Sequence, residues 1–277
     1  MAIGLIGAGK MGTALAKNIT AALPDQPLLV AEPNDAAWQH FANTLSSPSH
    51  IQRVDCIHDL VSRVHTIILA VKPQHIPDVL TVIGRLTQPT RVISIAAGVT
   101  IRRIASSLGE QARIIRVMPN TPLLIGEGFS AFTLASNCLP EDEIFVNRIF
   151  SNSPRIFAGL GSIARPVEEE KLDAITAVSG SGPAYVFHFV HAWIQEAENL
   201  GLTPELAREA VLHTIHGALA MMREHPERPP LQLARDVKSP GGTTEAACRV
   251  LEEKNWENIF RQAIRAAEER SQQLSSN

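Results

Sequence analysis

Apolar and polar positions alternate between two regimes along the chain. In the first half, short apolar runs stand apart from longer amphipathic stretches. Strands are predicted at Ala2–Ile6, Leu28–Ala31, Thr66–Ala70, Arg91–Ile95 and Arg113–Val117. Several are apolar on consecutive positions, as strands covered on both faces of a parallel sheet must be. Gly12–Ala22 and Ile76–Leu86 are long enough for crossover helices. This βαβ rhythm predicts a doubly wound α/β sheet of Rossmann-like type. Gly128–Leu134 and Arg155–Ala158 are expected to extend it.

After Gly159-Leu160-Gly161 the period changes. From Glu168 the pattern is helical almost to the end, with boundaries expected at Ser179–Pro183, Gly201–Pro204, His225–Pro230 and Ser239–Gly242. Tyr185–Leu200 is apolar on most faces and includes Phe187, Phe189 and Trp193, so either its own domain or another subunit must cover it widely. The expected division is an α/β domain over 1–163 and an all-helical domain over 164–277, the second expected to form a dimer interface.

Composition narrows the function. Of 277 residues, 45% are apolar and the net charge is −3, which points to a folded core. No basic stripe or polybasic cluster suggests nucleic acid or a membrane surface as partner. Cys56, Cys138 and Cys248 are isolated, forming neither a disulfide framework nor a CxxC metal site; with no signal peptide or spanning segment in view, a reducing cytoplasm is expected. His188/His191 and His213/His216 stand three apart but lack an HExxH pattern or a carboxylate set, so no metal is expected.

Gly7-Ala8-Gly9-Lys10-Met11-Gly12 follows a strand and opens a helix. The first glycine permits a tight turn, the second lets backbone approach a pyrophosphate, and the third lets helix pack on strand. The alternative is a purely structural turn. Glu32 ends the second strand, where a carboxylate accepts from an adenosine ribose and repels a 2′-phosphate, favouring NADH; the alternative is a solvated carboxylate beside Pro33. Ala70-Val71-Lys72-Pro73 and Ala96-Ala97-Gly98 also lie at carboxyl ends of strands, where small or kinked residues would admit a nicotinamide–ribose; Lys72 could equally be a surface charge. In Ser239-Pro240-Gly241-Gly242-Thr243-Thr244, two glycines expose backbone N–H groups and the threonines would supply a cap and hydroxyl donors, an arrangement suited to a small carboxylate or simply a helix start. In Ser179-Gly180-Ser181-Gly182-Pro183-Ala184-Tyr185, Pro183 suits the first turn of the following helix.

Taken together, GAGKMG, AVKP at 70–73, RVMPNTP at 116–122, SGSGPAY at 179–185 and SPGGTT at 239–244 resemble pyrroline-5-carboxylate reductases over essentially the whole chain. The resemblance implies NADPH- or NADH-dependent reduction of 1-pyrroline-5-carboxylate to proline. It also implies a helical domain that intertwines with a second subunit, in dimers that often assemble into decamers. By position, Thr244 corresponds to the threonine that hydrogen-bonds the ring nitrogen. Ser239, Gly241, Gly242 and Thr243 correspond to the carboxylate cradle, and Glu169 to a ligand-contacting acid, with a solvated helix start as its alternative. One departure stands out: where the family often has Asn contacting the cofactor ribose, this chain has Cys56-Ile57-His58. Rival readings are a reductase of another cyclic imine and a non-catalytic dinucleotide-binding regulator. A β-hydroxyacid dehydrogenase is disfavoured because Ala184–Leu200 lacks a lysine.

Overall fold

The computed structural model describes residues 2–45, 50–151 and 161–276. They divide into two compact units, one formed by the chain up to Ser181 with the segment from Ala267 onward, the other by Gly182–Ala266.

The first unit is built on eight strands: β1 (Ala2–Ile6), β2 (Leu28–Ala31), β3 (Ile51–Val54), β4 (Val64–Leu69), β5 (Thr90–Ser94), β6 (Ala112–Pro119), β7 (Phe129–Leu134) and β8 (Ile163–Pro166). Their order is β3-β2-β1-β4-β5-β6-β7-β8. The first six are parallel, β7 runs antiparallel to β6, and β8 parallel to β7. Connecting helices are α1 (Lys10–Ala22), α2 (Asp35–Leu45), α3 (Ile57–Arg63), α4 (Ile76–Ile83), α5 (Ile101–Leu108) and α6 (Pro140–Ser151).

The pleat of a strand sends alternate side chains to opposite faces, and both faces here are packed. Ile3, Leu5, Ile68 and Val117 join Leu15 of α1 and Ile149 of α6 in one core. Ile6, Ile67, Leu69 and Val92 join Leu60, Leu80 and Ile104 of α3, α4 and α5 in the other. This is the doubly wound arrangement expected from the apolar runs.

Two strands escaped the apolar pattern, both at sheet edges. β3 reads Ile-Gln-Arg-Val and β8 Ile-Ala-Arg-Pro, and each is partly exposed. An edge strand need bury only part of its surface, and Pro166 is tolerated where a ladder partner is missing. The extension expected at Arg155–Ala158 lies outside the described residues.

A buried ionic cluster ties the sheet to α6. Arg91 and Arg113 are register partners on β5 and β6. Between them sits Asp142, fully buried in the first turn of α6. Arg91 Nε donates to Asp142 at 2.6 Å, Arg113 Nε at 2.8 Å, and the Leu139 N–H at 2.8 Å. Burial alone would raise the Asp142 pKa; the bonds from Arg113, Leu139 and Arg91 outweigh it and hold the carboxyl below its ordinary value.

The unit continues through α7 (Leu172–Ile175), which runs on as a π-helical turn over Thr176–Gly180. The loop expected at Ser179–Pro183 is thus largely helical. A Cβ on Gly180 would lie 2.2 Å from Met118 Cε, so this wide turn packs directly on β6.

The second unit is all-helical: α8 (Gly182–Asn199), α9 (Pro204–Glu224), α10 (Pro230–Asp236), α11 (Thr243–Glu253) and the start of α12 (Trp256–Ser276). Gly201, with φ +93°, follows the end of α8, and Thr203 caps α9 by accepting from the Leu206 N–H at 3.3 Å. Among the described residues, no helix is long and apolar enough to cross a membrane.

Candidate active site

The carboxyl ends of β1, β4 and β5 are neighbours, which gathers three of the sequence-predicted segments on one edge. Strand order reverses between β1 and β4, the switch point where ligands of open α/β sheets bind. Each glycine of the first loop has a distinct reason. Gly7 has φ +102°, and a Cβ there would lie 2.8 Å from the Ala70 carbonyl oxygen. A Cβ on Gly12 would lie 2.2 Å from the Gly7 oxygen, whereas one on Gly9 would meet nothing within 4 Å. Gly7 and Gly12 therefore allow strand, turn and helix to close up, while Gly9 leaves the backbone open beside the N-terminus of α1. That combination fits a dinucleotide pyrophosphate. Lys10 is exposed and Met11 partly buried at the start of α1. Ala70 and Val71 line the back of the loop; Lys72 is exposed ahead of a short 3₁₀ turn, Pro73–His75.

Glu32 is not free in solvent. Its Oε2 accepts from the Ala8 N–H at 2.8 Å and its Oε1 from the Asn34 N–H at 2.9 Å. Arg53 of β3 donates through Nε and Nη2 to the Glu32 backbone oxygen, at 3.1 and 2.8 Å. Sequence reading missed Arg53, because an arginine in a short mixed strand carries no recognisable signal.

The Ala96-Ala97-Gly98 turn has a neighbour that sequence spacing could not reveal. Gly98 has φ +73°, and a Cβ there would lie 2.6 Å from Leu274 Cβ and 3.0 Å from the Leu274 carbonyl carbon. The last turns of α12, which belong to this unit, make the close approach at Gly98. Ser271 and Ser275 of the same helix donate to Asp173 Oδ1 at 2.6 and 3.2 Å.

Glu169 accepts from the Ile101 N–H at 2.8 Å, satisfying a first-turn donor of α5, and from Arg116 Nη1 at 3.2 Å. Arg116 is nearly fully buried and also faces Asp173 at 3.6 Å. Its signal was legible after the fact: a charge inside the apolar run Ile-Ile-Arg-Val-Met demands buried partners.

In the second unit, Ser239–Gly242 forms a tight turn into α11. Gly241 has φ +71°, the Gly242 N–H donates to the Ser239 oxygen at 2.9 Å, and a Cβ on Gly242 would lie 2.2 Å from Ser239 Oγ. One expectation is corrected here. The cap of α11 is Gly242 rather than a threonine, and Thr243 and Thr244 are its first helical residues. Glu245 reaches back to accept from the Gly241 N–H at 2.8 Å, which ties the turn to the first turn of the helix. The threonine hydroxyls are not spent as the cap, and both glycine N–H groups expected to be open to a ligand are engaged, that of Gly241 by Glu245 and that of Gly242 by the Ser239 oxygen.

These features define an NAD(P)-dependent oxidoreductase with a Rossmann-like sheet and a helical C-terminal part. Residues 2–98 match the family described as NADP oxidoreductase, coenzyme F420-dependent, and residues 169–274 match pyrroline-5-carboxylate reductase dimerisation. The pyrroline-5-carboxylate reductase of Escherichia coli strain K12 is 36% identical over 280 residues, covering 99% of this chain and 98% of that protein. That of Pasteurella multocida is 34% identical, covering 97% and 96%. Among solved structures, the Plasmodium falciparum pyrroline carboxylate reductase with NADP bound aligns with a TM-score of 0.85 at 30% identity, covering 99% of this chain and 98% of that one. The chain belongs to the pyrroline-5-carboxylate reductase family, and it carries that family's dimerisation domain.

Proposed function

We propose that this protein reduces 1-pyrroline-5-carboxylate to L-proline, the last step of proline biosynthesis, with NADH or NADPH. The observation that carries the reading is the Gly7–Gly12 loop at the switch point, open at Gly9 and closed at Gly7 and Gly12, in a chain related over its whole length to enzymes named for this reaction. A bound reduced nicotinamide supplies a hydride equivalent. The imine carbon gains that hydride and the ring nitrogen a proton, giving a secondary amine.

The chain's own residues bind, orient and polarise. Gly7, Gly9, Lys10, Met11 and Gly12 hold the pyrophosphate, Glu32 the adenosine side, and Ala70–Pro73 with Ala96–Gly98 frame the nicotinamide side. Ser239 and Thr243 receive the substrate carboxylate at the start of α11, where the helix dipole favours an anion, and Gly241 and Gly242 shape the turn that brings them there. Glu169 contributes with the acceptor capacity left after Ile101 and Arg116, since a carboxylate offers about four lone-pair sites. Thr244 hydrogen-bonds the ring nitrogen. Its hydroxyl is too weak an acid to protonate an imine in water, so it orients the nitrogen, and the proton comes from solvent or arrives with the substrate. Effective molarities of roughly 10⁵–10⁸ M are available from such orientation in favourable cases.

This reading includes the division of roles at about residue 164, a cytoplasmic location, and a working homodimer with a decamer as the further assembly. The start of the dimerisation match at residue 169 and the apolar exposure of α8 support the first and third. The test is oxidation of NADH and NADPH, side by side, with 1-pyrroline-5-carboxylate. Thr244→Ala is expected to lower kcat by about 10²-fold, the scale of losing one positioned polar group in a transition state. Wild-type turnover in that variant would remove Thr244 from the reaction. Absence of turnover in the folded wild-type protein would turn attention to other cyclic imines.

A further inference from the structure

We propose that Arg53 binds the 2′-phosphate of a phosphorylated dinucleotide, exchanging its Asp35 partner for that phosphate, and so admits NADP(H) beside Glu32. The proposal rests on the reading of Gly7–Gly12 as a dinucleotide site and extends it to the adenosine end.

β3 pairs with β2 in the register Val30↔Arg53 and Ala31↔Val54, so Arg53 reaches the carboxyl edge next to Glu32. In this class of sheet, that strand end receives the adenosine ribose, and an arginine nearby accommodates a 2′-phosphate. The guanidinium is fixed on three sides. Nε and Nη2 donate to the Glu32 carbonyl, Nη2 pairs with Asp35 Oδ1 at 2.7 Å, and the group lies 5.6 Å over the Trp38 ring centroid. Trp38 is itself stacked on buried Phe41, which makes the platform rigid. A preorganised fork of this kind suits the two-pronged recognition of phosphate.

The two acids nearby do not contribute equally. The Asp35 side chain is 91% exposed, and an ion pair to so solvated a carboxylate is worth little, so an incoming phosphate can replace it. The Glu32 carboxylate is held by the Ala8 and Asn34 N–H groups, which partly compensate its charge. Glu32 alone argues for a free ribose hydroxyl; Arg53 supplies the opposing charge on the adjacent strand. Acceptance of both cofactors follows from the pair.

The test is calorimetric binding of NADP⁺, NAD⁺, adenosine 2′,5′-bisphosphate and 5′-AMP to the full-length protein at fixed ionic strength. Arg53→Gln is expected to weaken NADP⁺ and the bisphosphate by on the order of 10- to 100-fold, the range of charge-assisted hydrogen bonds. NAD⁺ and 5′-AMP should bind as to wild type, which also verifies that the variant is folded at this site. Asp35→Asn should tighten NADP⁺ by removing the competitor, and Arg53→Lys should restore part of the lost affinity. Equal weakening of both dinucleotides by Arg53→Gln, or no change in either, overturns the proposal. Failure of the folded wild-type protein to bind any of the four ligands overturns the dinucleotide site itself, and with it the role of Arg53.

Discussion

The two units use the same apolar residue types to opposite ends. In the sheet unit, apolar side chains are inside: Leu5, Ile67, Ile68, Val92, Ile93 and Phe132 are all fully buried. In Gly182–Ala266, the apolar residues that are buried at all among the described ones are Ala197, Ala207 and Val211, and of these Ala207 alone is fully buried. Phe187 is 67% exposed, Ile259 63% and Phe189 58%, and Trp193, Leu219 and Trp256 are also exposed. Burial contributes roughly 25 cal/mol per Å² of apolar surface, so a helical unit arranged this way forgoes most of that stabilisation within one chain. The match of residues 169–274 to a dimerisation family identifies what recovers it. A sheet covered on both faces closes its core internally, whereas a layer of helices with large side chains turned outward closes it by association.

That contrast can be broken at the strongest internal contact. Asp142→Asn leaves Arg91 and Arg113 side by side without their buried counter-charge, and should cost about 3–5 kcal/mol in denaturant unfolding. The folded carboxyl lies below its ordinary pKa, so its stabilisation is present above the unfolded value, about 4, and is lost as pH falls through the folded value. The wild type should therefore lose stability on that acid limb, and the variant should show a flatter one. A variant as stable as wild type would mean that the cluster contributes no net stability.

Phe187→Asp tests the other half. An exposed position should tolerate the charge within one chain, while association weakens by about 2–4 kcal/mol, the scale of an interface hot spot. Sedimentation velocity would show a smaller species at low concentration; an unchanged mass would place Phe187 outside the interface. Gly98→Ala asks whether the last turns of α12 belong to the rigid unit. The left-handed φ and the contact with Leu274 predict a loss of about 1–3 kcal/mol in thermal unfolding. No loss would mean that α12 is readily displaced there.

The smallest expected effect concerns the thiols. Burial, and then the Asp142 charge, push the Cys138 thiol up to about 11, so it stays protonated at neutral pH. Mass spectrometry after brief alkylation should find exposed Cys56 modified and Cys138 unmodified. Equal labelling would show that the Cys138 environment opens in solution.

Much of the fold was legible from local pattern. A strand covered on both faces must be apolar at successive positions, and β1 and β2 were found with their observed bounds for that reason. β3 and β8 were invisible because an edge strand is specified by its neighbours' hydrogen bonds more than by its own side chains. The glycines of the first loop announced themselves through spacing fixed by turn geometry.

What the sequence determined by itself is the set of segments and their chemistry: a Gly-rich βα turn, small residues at strand ends, and a Ser-Pro-Gly-Gly-Thr-Thr turn entering a helix. Tertiary structure alone decided their partners. It brought Arg53 to the Glu32 carbonyl across adjacent strands, set Leu274 against Gly98 from the far end of the chain, and made Gly242 the cap of α11. It also joined Arg116 to Glu169 and Asp173. Local pattern records which face of an element is apolar, a property of neighbouring residues. Which charge meets which carbonyl depends on strand order and register, and these are fixed only when the whole sheet has assembled.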